Sequence, residues 1–203
     1  ELGYPPGLAP ESGWVAVKAP VFSFSKITTL DTFLGPEMKS TGEVMGVSKI
    51  YKEALFKALV ASGLNIPSSG RVLMSITDRD KEGSLGLARQ LVISGYTLGA
   101  TPGTAEFLVA NGYECETLND AQAMASIKNG GIALMINTPT RGKLPERDGF
   151  LLRRTSIEYN VPSITNLDTA YAVLSVADYF TGGESGGVYP LDAYSNYEKG
   201  VLS

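Results

Sequence analysis

A short turn that carries two hydroxyl side chains is the clearest place where this sequence could bind an anion. Thr101-Pro102-Gly103-Thr104 follows a short run of apolar and small residues and precedes a stretch with helical spacing. The start of a helix offers free backbone N–H groups and the positive end of the helix dipole, which a phosphate or carboxylate needs. The alternative is that Thr104 only caps the helix and Gly103 only makes a tight turn. The local sequence favours neither interpretation.

Three further segments could complete such a site. Lys81 lies at the start of a predicted helix, where a cation is unfavourable unless an anion is near; a solvated side chain among acidic neighbours is the alternative. Arg153 and Arg154 could clamp a phosphate, or they could form surface ion pairs. Asn137 could meet a base or sugar with its donor and acceptor, or it could begin a turn before Thr138-Pro139.

The sequence also excludes several kinds of chemistry. Its 203 residues include no histidine and a single cysteine, Cys115. The commonest general acid–base group, the usual Ser–His and Cys–His pairs and the commonest zinc ligand are therefore missing. A lone cysteine cannot form an internal disulfide, which suits a reducing compartment. We predict a cytoplasmic chain that has no catalytic residues, no metal site and no cofactor of its own.

Charge and hydropathy narrow the class of partner. The net charge of −4, with both signs mixed along the chain, argues against nucleic acid. No apolar run approaches the roughly 20 residues that span a bilayer, so we expect no membrane partner. The first residues lack the basic start and apolar core of a signal peptide, and they resemble a cut made inside a longer protein.

The elements that must position the candidate residues alternate regularly beyond residue 65. Short apolar runs alternate with helical segments, and 132–136 is apolar throughout, as in a central parallel strand. Five β-α units in succession predict an α/β fold, a five-stranded parallel sheet with helices on both faces and Rossmann-type layering. Ligands of such sheets bind at the carboxyl ends of the strands, where the candidate loops fall. The predicted strands are 72–76, 96–100, 113–117, 132–136 and 162–165, and the predicted helices are 81–94, 104–111, 120–129, 148–160 and 167–180.

The remainder of the chain is predicted to be less regular. Residues 1–65 form a small, loop-rich α+β fragment, with short strands at 15–17 and 21–24 and a helix over 48–62. This fragment has too little apolar surface to fold alone. We therefore divide the chain into the fragment 1–65, an α/β domain over 66–180, and a glycine-rich, flexible tail over 181–203.

Several segments together closely resemble the large subunit of carbamoyl phosphate synthetases. The most specific are 15–22 and 34–46, and shorter matches lie at 75–81, 100–105, 136–139 and 148–154. The resemblance implies that 1–65 is the end of the second ATP-grasp half. It implies that 66–180 is the regulatory domain, which in that family is similar in fold to methylglyoxal synthase.

The resemblance also implies that the chain binds an effector. It would be the regulatory part of a ligase that acts in pyrimidine and arginine biosynthesis. Bacterial members bind uridine or inosine monophosphate in this domain, and animal relatives bind N-acetylglutamate. Expected partners are such an effector, the rest of the large subunit, the glutaminase subunit and a second copy of the chain. The ATP and magnesium sites of the parent enzyme lie upstream of this chain. The predicted effector site comprises Lys81, Thr101, Gly103, Thr104, Asn137, Thr138, Asp148 and Arg153.

Three alternatives remain open at this point. The first alternative is a structural or assembly domain that has lost its effector. It rests on Thr117-Leu118-Asn119-Asp120, which runs directly into a helix where bacterial relatives carry a lysine-bearing stretch. A methylglyoxal-synthase-type lyase is the second, but that family uses a histidine. The cyclohydrolase domain of purine synthesis is the third, but its Lys-Thr-Leu-His-Pro stretch has no counterpart in this sequence.

Overall fold

The computed structural model describes residues 13–24, 37–139 and 148–180, which form an antiparallel ribbon and a parallel sheet. The ribbon consists of β1 (Val15–Phe22) and β2 (Ser40–Ser48). The sheet consists of β3 (Gly70–Ser75), β4 (Tyr96–Ala100), β5 (Glu116–Thr117), β6 (Leu134–Asn137) and β7 (Ser163–Ile164), in the order β5-β4-β3-β6-β7. The helices are α1 (Tyr51–Ala61), α2 (Lys81–Ile93), α3 (Pro102–Ala110), α4 (Asp120–Lys128), α5 (Asp148–Glu158), α6 (Leu167–Leu174) and α7 (Ala177–Phe180).

Alternate residues of the central strands enter two separate hydrophobic clusters. Val72 and Met74 of β3 pack with α1, α2, α3 and α6, whereas Leu73 packs with α4 and α5 on the opposite face. In β6, Ile136 and Met135 divide between the same two clusters. This alternation follows from the period of two in a strand, and strands buried on both faces are apolar throughout. The predicted five-stranded parallel sheet with helices on both faces is confirmed.

Several boundaries differ from the predicted ones for local reasons. β5 has only two residues instead of the predicted five, because it is an edge strand that pairs only with the end of β4. The third helix of the chain begins at Pro102 rather than Thr104, since proline suits the first helical position. The last predicted helix, 167–180, is divided into α6 and α7 by two residues.

The ribbon is more regular than the sequence suggested. The two strands predicted at 15–17 and 21–24 are the single strand β1, which continues through Pro20. A two-stranded ribbon has two edges, and proline is tolerated in an edge strand. The partner strand β2 was not predicted, because its mixture of small and polar residues has no clear alternation.

Helix α1 connects the ribbon to the sheet. Gly46 of β2 lies against the backbone of α1, while Leu55 and Leu59 on the other side of α1 join the hydrophobic cluster of β3 and α2. The described part of the predicted fragment 1–65 therefore packs on the sheet. The division of the chain at residue 65 stays a prediction, and the predicted tail 181–203 lies outside the described residues. None of the helices in the described ranges is long and apolar enough to cross a bilayer.

Helices α2 and α6 approach each other closely at Gly86, which yields a stability prediction. The hydroxyl of Tyr171 donates a hydrogen bond to the carbonyl of Gly83 at 2.8 Å, and a Cβ at position 86 would lie 2.5 Å from that hydroxyl. We expect Gly86→Ala to lower the free energy of unfolding by about 1–2 kcal/mol, because overpacking outweighs the better helix propensity of alanine. Urea denaturation measures this difference.

The same substitution in a Tyr171→Phe variant tests whether the hydroxyl causes the destabilisation. Tyr171→Phe removes the hydroxyl and leaves the ring carbon 3.6 Å from the added methyl group, which is ordinary contact. In the Tyr171→Phe background, Gly86→Ala should therefore lower the free energy of unfolding little or not at all. Equal destabilisation by alanine in both backgrounds would show that the hydroxyl is not the clashing group.

Candidate functional site

The strand order reverses at β3, and this reversal creates the candidate site. From β3 the chain goes through α2 to β4 on one side, whereas β6 lies on the other side of β3. The helices that follow β3 and β6 lie on opposite faces of the sheet, and open parallel sheets bind ligands in a crevice outside the strand ends at such a reversal. We call this the switch crevice, and it is bordered by 76–81, 101–104 and 137–139.

Hydrogen bonds between threonines join the two loops at the centre of the crevice. The backbone N–H of Thr77 donates to the hydroxyl of Thr138 at 2.9 Å, and the N–H of Thr138 donates to the carbonyl of Ser75 at 3.0 Å. The Thr77 hydroxyl donates to a carboxylate oxygen of Asp80 at 2.9 Å. Thr138 is buried, and its hydroxyl links the loop after β6 to the loop after β3.

Asp80 is held as an anion by this network. Burial raises the pKa of its carboxyl, but hydrogen bonds from Thr77, Arg79 and Thr138 together outweigh burial and lower the pKa below its usual value. The Nε of Arg79 lies 3.3 Å from the same carboxylate oxygen that Thr77 contacts. The sequence placed Asp80 in this loop, but its role as an anchor between two strands depends on tertiary contacts.

Thr104 has a structural role in this arrangement. Its side chain is 2% exposed, and its hydroxyl accepts the N–H of Ile76 at 2.9 Å, which ties α3 to the end of β3. The N-cap of α3 is Thr101, whose backbone is extended and whose side chain makes no cap bond. The interpretation of Thr104 as an N-cap is therefore wrong.

The buried hydroxyl of Thr104 leads to a second stability prediction. Thr104→Val keeps the shape of the side chain but leaves the N–H of Ile76 buried without its acceptor, which costs about 1–3 kcal/mol. Thr104→Ser keeps the hydroxyl and should cost less. Urea denaturation compares the two variants. If valine proved as stable as the native threonine, the hydrogen bond to Ile76 would contribute nothing.

The start of α3 has one backbone donor left for an anion. Pro102 has no N–H, and the N–H groups of Thr104 and Ala105 both donate to the carbonyl of Thr101, at 2.9 and 2.8 Å. Among the described residues, no acceptor takes the N–H of Gly103. Thr101 is partly exposed, and its hydroxyl donates to that of Thr104 at 3.4 Å. Gly103 and Thr101 are therefore the two groups at this turn that a ligand could reach.

Lys81 lies over the start of α3, although it belongs to α2. It follows a 3-10 turn, Asp78–Asp80, and its side chain is 20% exposed. Its ammonium lies 2.7 Å from a carboxylate oxygen of Asp78 and 6.0 Å from the ring centroid of Phe107. A Cβ on Gly103 would lie only 3.8 Å from the ammonium. Lys81 is thus an ion-paired cation beside the free N–H of Gly103 and not a freely solvated side chain.

Asn137 and Arg153 form a second group, on the face of the sheet covered by α5. Both residues are buried, and Nη1 of Arg153 donates to Oδ1 of Asn137 at 2.6 Å. A Cβ on Gly149 would lie 3.4 Å from Nη1 of Arg153 and 3.6 Å from Nδ2 of Asn137, so the first turn of α5 lies next to this pair. Asp148 begins α5, but its side chain lies outside the described residues.

The two neighbouring arginines have different surroundings. Arg154 forms an ion pair with Glu158 at 2.9 Å and donates to the carbonyl of Phe24 at 3.1 Å. Arg154 thus forms an ion pair, but its side chain is only 11% exposed, whereas Arg153 is buried next to Asn137. Residues 140–142, which follow Pro139 in the sequence, lie outside the described residues.

The connection from β5 to α4 is closed by its own hydrogen bonds. Leu118 donates its N–H to the carbonyl of Ala100 at 2.8 Å. Asn119 then caps α4 in a capping box, exchanging bonds of 2.9 Å with Gln122. The direct run from strand to helix in the sequence is therefore a short turn closed by Leu118 and by the Asn119 cap.

Metal binding and thiol reactivity are two further kinds of chemistry to consider within the described part of the chain. It contains no cluster of three or more histidine, cysteine, aspartate or glutamate residues that could hold a metal ion. Burial, together with the charge of Glu116, raises the pKa of the Cys115 thiol to about 11, so the thiol is protonated and unreactive near neutral pH. Cys115 directly precedes β5 rather than lying inside it.

Most of the sheet region is similar to known proteins. The family model of the MGS-like domain matches residues 83–165, from α2 to the end of β7. Among solved structures, methylglyoxal synthase from Elizabethkingia anophelis NUHP1 is similar, with 16% identity and a TM-score of 0.40 over 66% of this chain and 93% of that one. ForH is similar, with 17% identity and a TM-score of 0.45 over 65% of this chain and 91% of that one. The chain thus contains an MGS-like domain, and the finer assignment to a carbamoyl phosphate synthetase stays a prediction.

Proposed function

We propose that this chain is a regulatory module. Its switch crevice binds a nucleoside monophosphate through the phosphate, or binds another small acidic effector. The observation that carries the proposal is the position of Lys81. Its side chain is 20% exposed, and its ammonium lies beside Gly103, where two helices begin at a reversal of strand order. Ligands of parallel α/β sheets bind at such reversals, and helix starts favour anions.

Three donors at the starts of α2 and α3 are available for the phosphate in this proposal. Lys81 supplies a charge, Gly103 supplies a backbone N–H and the partly exposed Thr101 supplies a hydroxyl. Charge-assisted hydrogen bonds of this kind are about twice as strong as neutral ones. Thr104 and Thr138 stabilise the site indirectly, because their hydroxyls accept hydrogen bonds from the loop after β3.

The nucleoside part would extend toward β6. Arg153 occupies the amide oxygen of Asn137, so the Nδ2 group is the side left to donate a hydrogen bond. Uracil and hypoxanthine both carry carbonyl oxygens that accept such a bond. The buried Arg153 therefore acts as a positioning residue in this proposal, because it fixes which end of the Asn137 amide is presented.

The larger context is also proposed. We infer that the chain is the C-terminal part of a carbamoyl phosphate synthetase large subunit, in the cytoplasm, with the ATP and magnesium chemistry performed upstream. Its partners would be the remaining large subunit, the glutaminase subunit and a second copy. The resemblance over 15–22 and 34–46 supports this assignment, because both segments precede the MGS-like region as they do in that family.

A structural or assembly role without an effector is the second candidate. The closed turn between β5 and α4 favours it, since the lysine that bacterial relatives place there is absent from this turn. A methylglyoxal-synthase-type lyase is a weaker third, because the chain has no histidine.

Isothermal titration calorimetry with the folded chain separates these candidates. We expect binding heat with uridine or inosine monophosphate, and much weaker binding of uridine, which lacks the phosphate. N-acetylglutamate tests the acidic alternative. No heat with any of these ligands would favour the structural role, and methylglyoxal formation from dihydroxyacetone phosphate would overturn the regulatory one.

A further inference from the structure

The turn that carries Lys81 has no net charge, although it is the proposed source of positive charge. Asp78, Arg79, Asp80 and Lys81 follow one another, so two acids and two bases lie side by side. The structure pairs them internally, Lys81 with Asp78 and Arg79 with Asp80. A phosphate that approaches the free chain therefore meets a cation that already has a carboxylate partner.

The two carboxylates differ in how firmly they are held. Asp80 is anchored by the Thr77 hydroxyl at 2.9 Å, and its side chain is only 25% exposed. The side chain of Asp78 is 94% exposed, and its contact within the described ranges is the ion pair with Lys81. An ion pair with one fully solvated partner contributes little to stability, so this contact is weak enough for a ligand to replace.

We propose that Asp78 is an internal counter-ion that competes with the phosphate of the effector for Lys81. In the free chain its carboxylate pairs with the ammonium; on binding it rotates into solvent and the phosphate takes its place. Because Asp78 stays close to the bound anion, it also repels it. Asp78 therefore weakens binding and sets the effector concentration to which the module responds. This inference rests on the proposed effector site.

The test compares two substitutions that remove the same charge. Asp78→Asn removes the competing carboxylate at the crevice, and Glu114→Gln removes an exposed one that precedes β5, at the opposite end of the strands. Calorimetric titration with uridine monophosphate and with inorganic phosphate gives the dissociation constants. We expect Asp78→Asn to bind both about three- to tenfold more tightly than the native chain, and Glu114→Gln to differ by less than about twofold.

The outcomes separate the inference from the proposed function. Tighter binding by Asp78→Asn alone supports the counter-ion role, even if native binding is too weak to measure. If the native chain binds and Asp78→Asn binds no more tightly, the inference fails and the effector site stands. An equal gain with Glu114→Gln would mean a general effect of net charge and would also overturn it. No binding by any of the three chains would overturn the effector site itself.

Discussion

Gly46→Ala is expected to lower the free energy of unfolding by about 3 kcal/mol, more than any other substitution considered. A Cβ at this position would overlap the backbone carbonyl of Ala54 and would lie 2.5 Å from the backbone nitrogen of Ala58. Both atoms belong to α1, whose backbone cannot move aside as a side-chain end can. Since α1 also contributes Leu55 and Leu59 to the main hydrophobic cluster, the strain reaches the core of the sheet.

Gly42→Ala is the matched control in the same strand. A Cβ there would lie 4.0 Å from the Cβ of Val21, which is ordinary contact. Urea denaturation followed by tryptophan fluorescence suits both variants, because Trp14 is the single tryptophan and directly precedes β1. If Gly46→Ala were as stable as Gly42→Ala, the ribbon could not pack on α1 as closely as described.

Lys81→Gln is expected to have the largest effect on binding, a loss of about ten- to a hundredfold in affinity for uridine monophosphate. The substitution removes the charge-assisted hydrogen bond to the phosphate and leaves Asp78 without its cation. Stability should change by less than about 0.5 kcal/mol, because the ion pair is exposed on the Asp78 side and a cation at a helix start is unfavourable. Calorimetry and urea denaturation measure the two effects separately.

Lys128→Gln controls for the change in net charge. Lys128 is exposed at the end of α4. Because α4 leads into the amino end of β6, Lys128 lies at the opposite end of the strands from the crevice. Its replacement should leave affinity within about twofold. An unchanged affinity in Lys81→Gln, in a chain whose native form binds, would move the phosphate site to another part of the molecule.

The parallel sheet was predictable because its signals are local. Short apolar runs separated by helical segments mark β3, β4 and β6, and the predicted bounds 96–100 are those of β4. The strand β2 was not predictable, because its residues gain strand structure from pairing with β1 and packing on α1. Tertiary contacts of this kind override a weak local preference for strand structure.

The location of the candidate loops was predictable, but their contacts were not. The ends of parallel strands identify the loops, and the structure places the ammonium of Lys81 beside Gly103 at the start of α3. The burial of Thr104 was hidden, because its partner Ile76 is 28 residues away. The ion pair of Asp78 and Lys81 could have been anticipated from their spacing of three residues at a helix start.

The most direct test of the effector site is a titration of the isotope-labelled chain with uridine monophosphate, followed by amide NMR. The account predicts the largest shift changes at Gly103 and at the neighbouring turn 77–81, with saturation at one ligand per chain. Amides of the ribbon, such as those of Gly42 and Met45, should stay unchanged. Shift changes confined to the ribbon, or none at millimolar ligand, would contradict a phosphate site in the switch crevice.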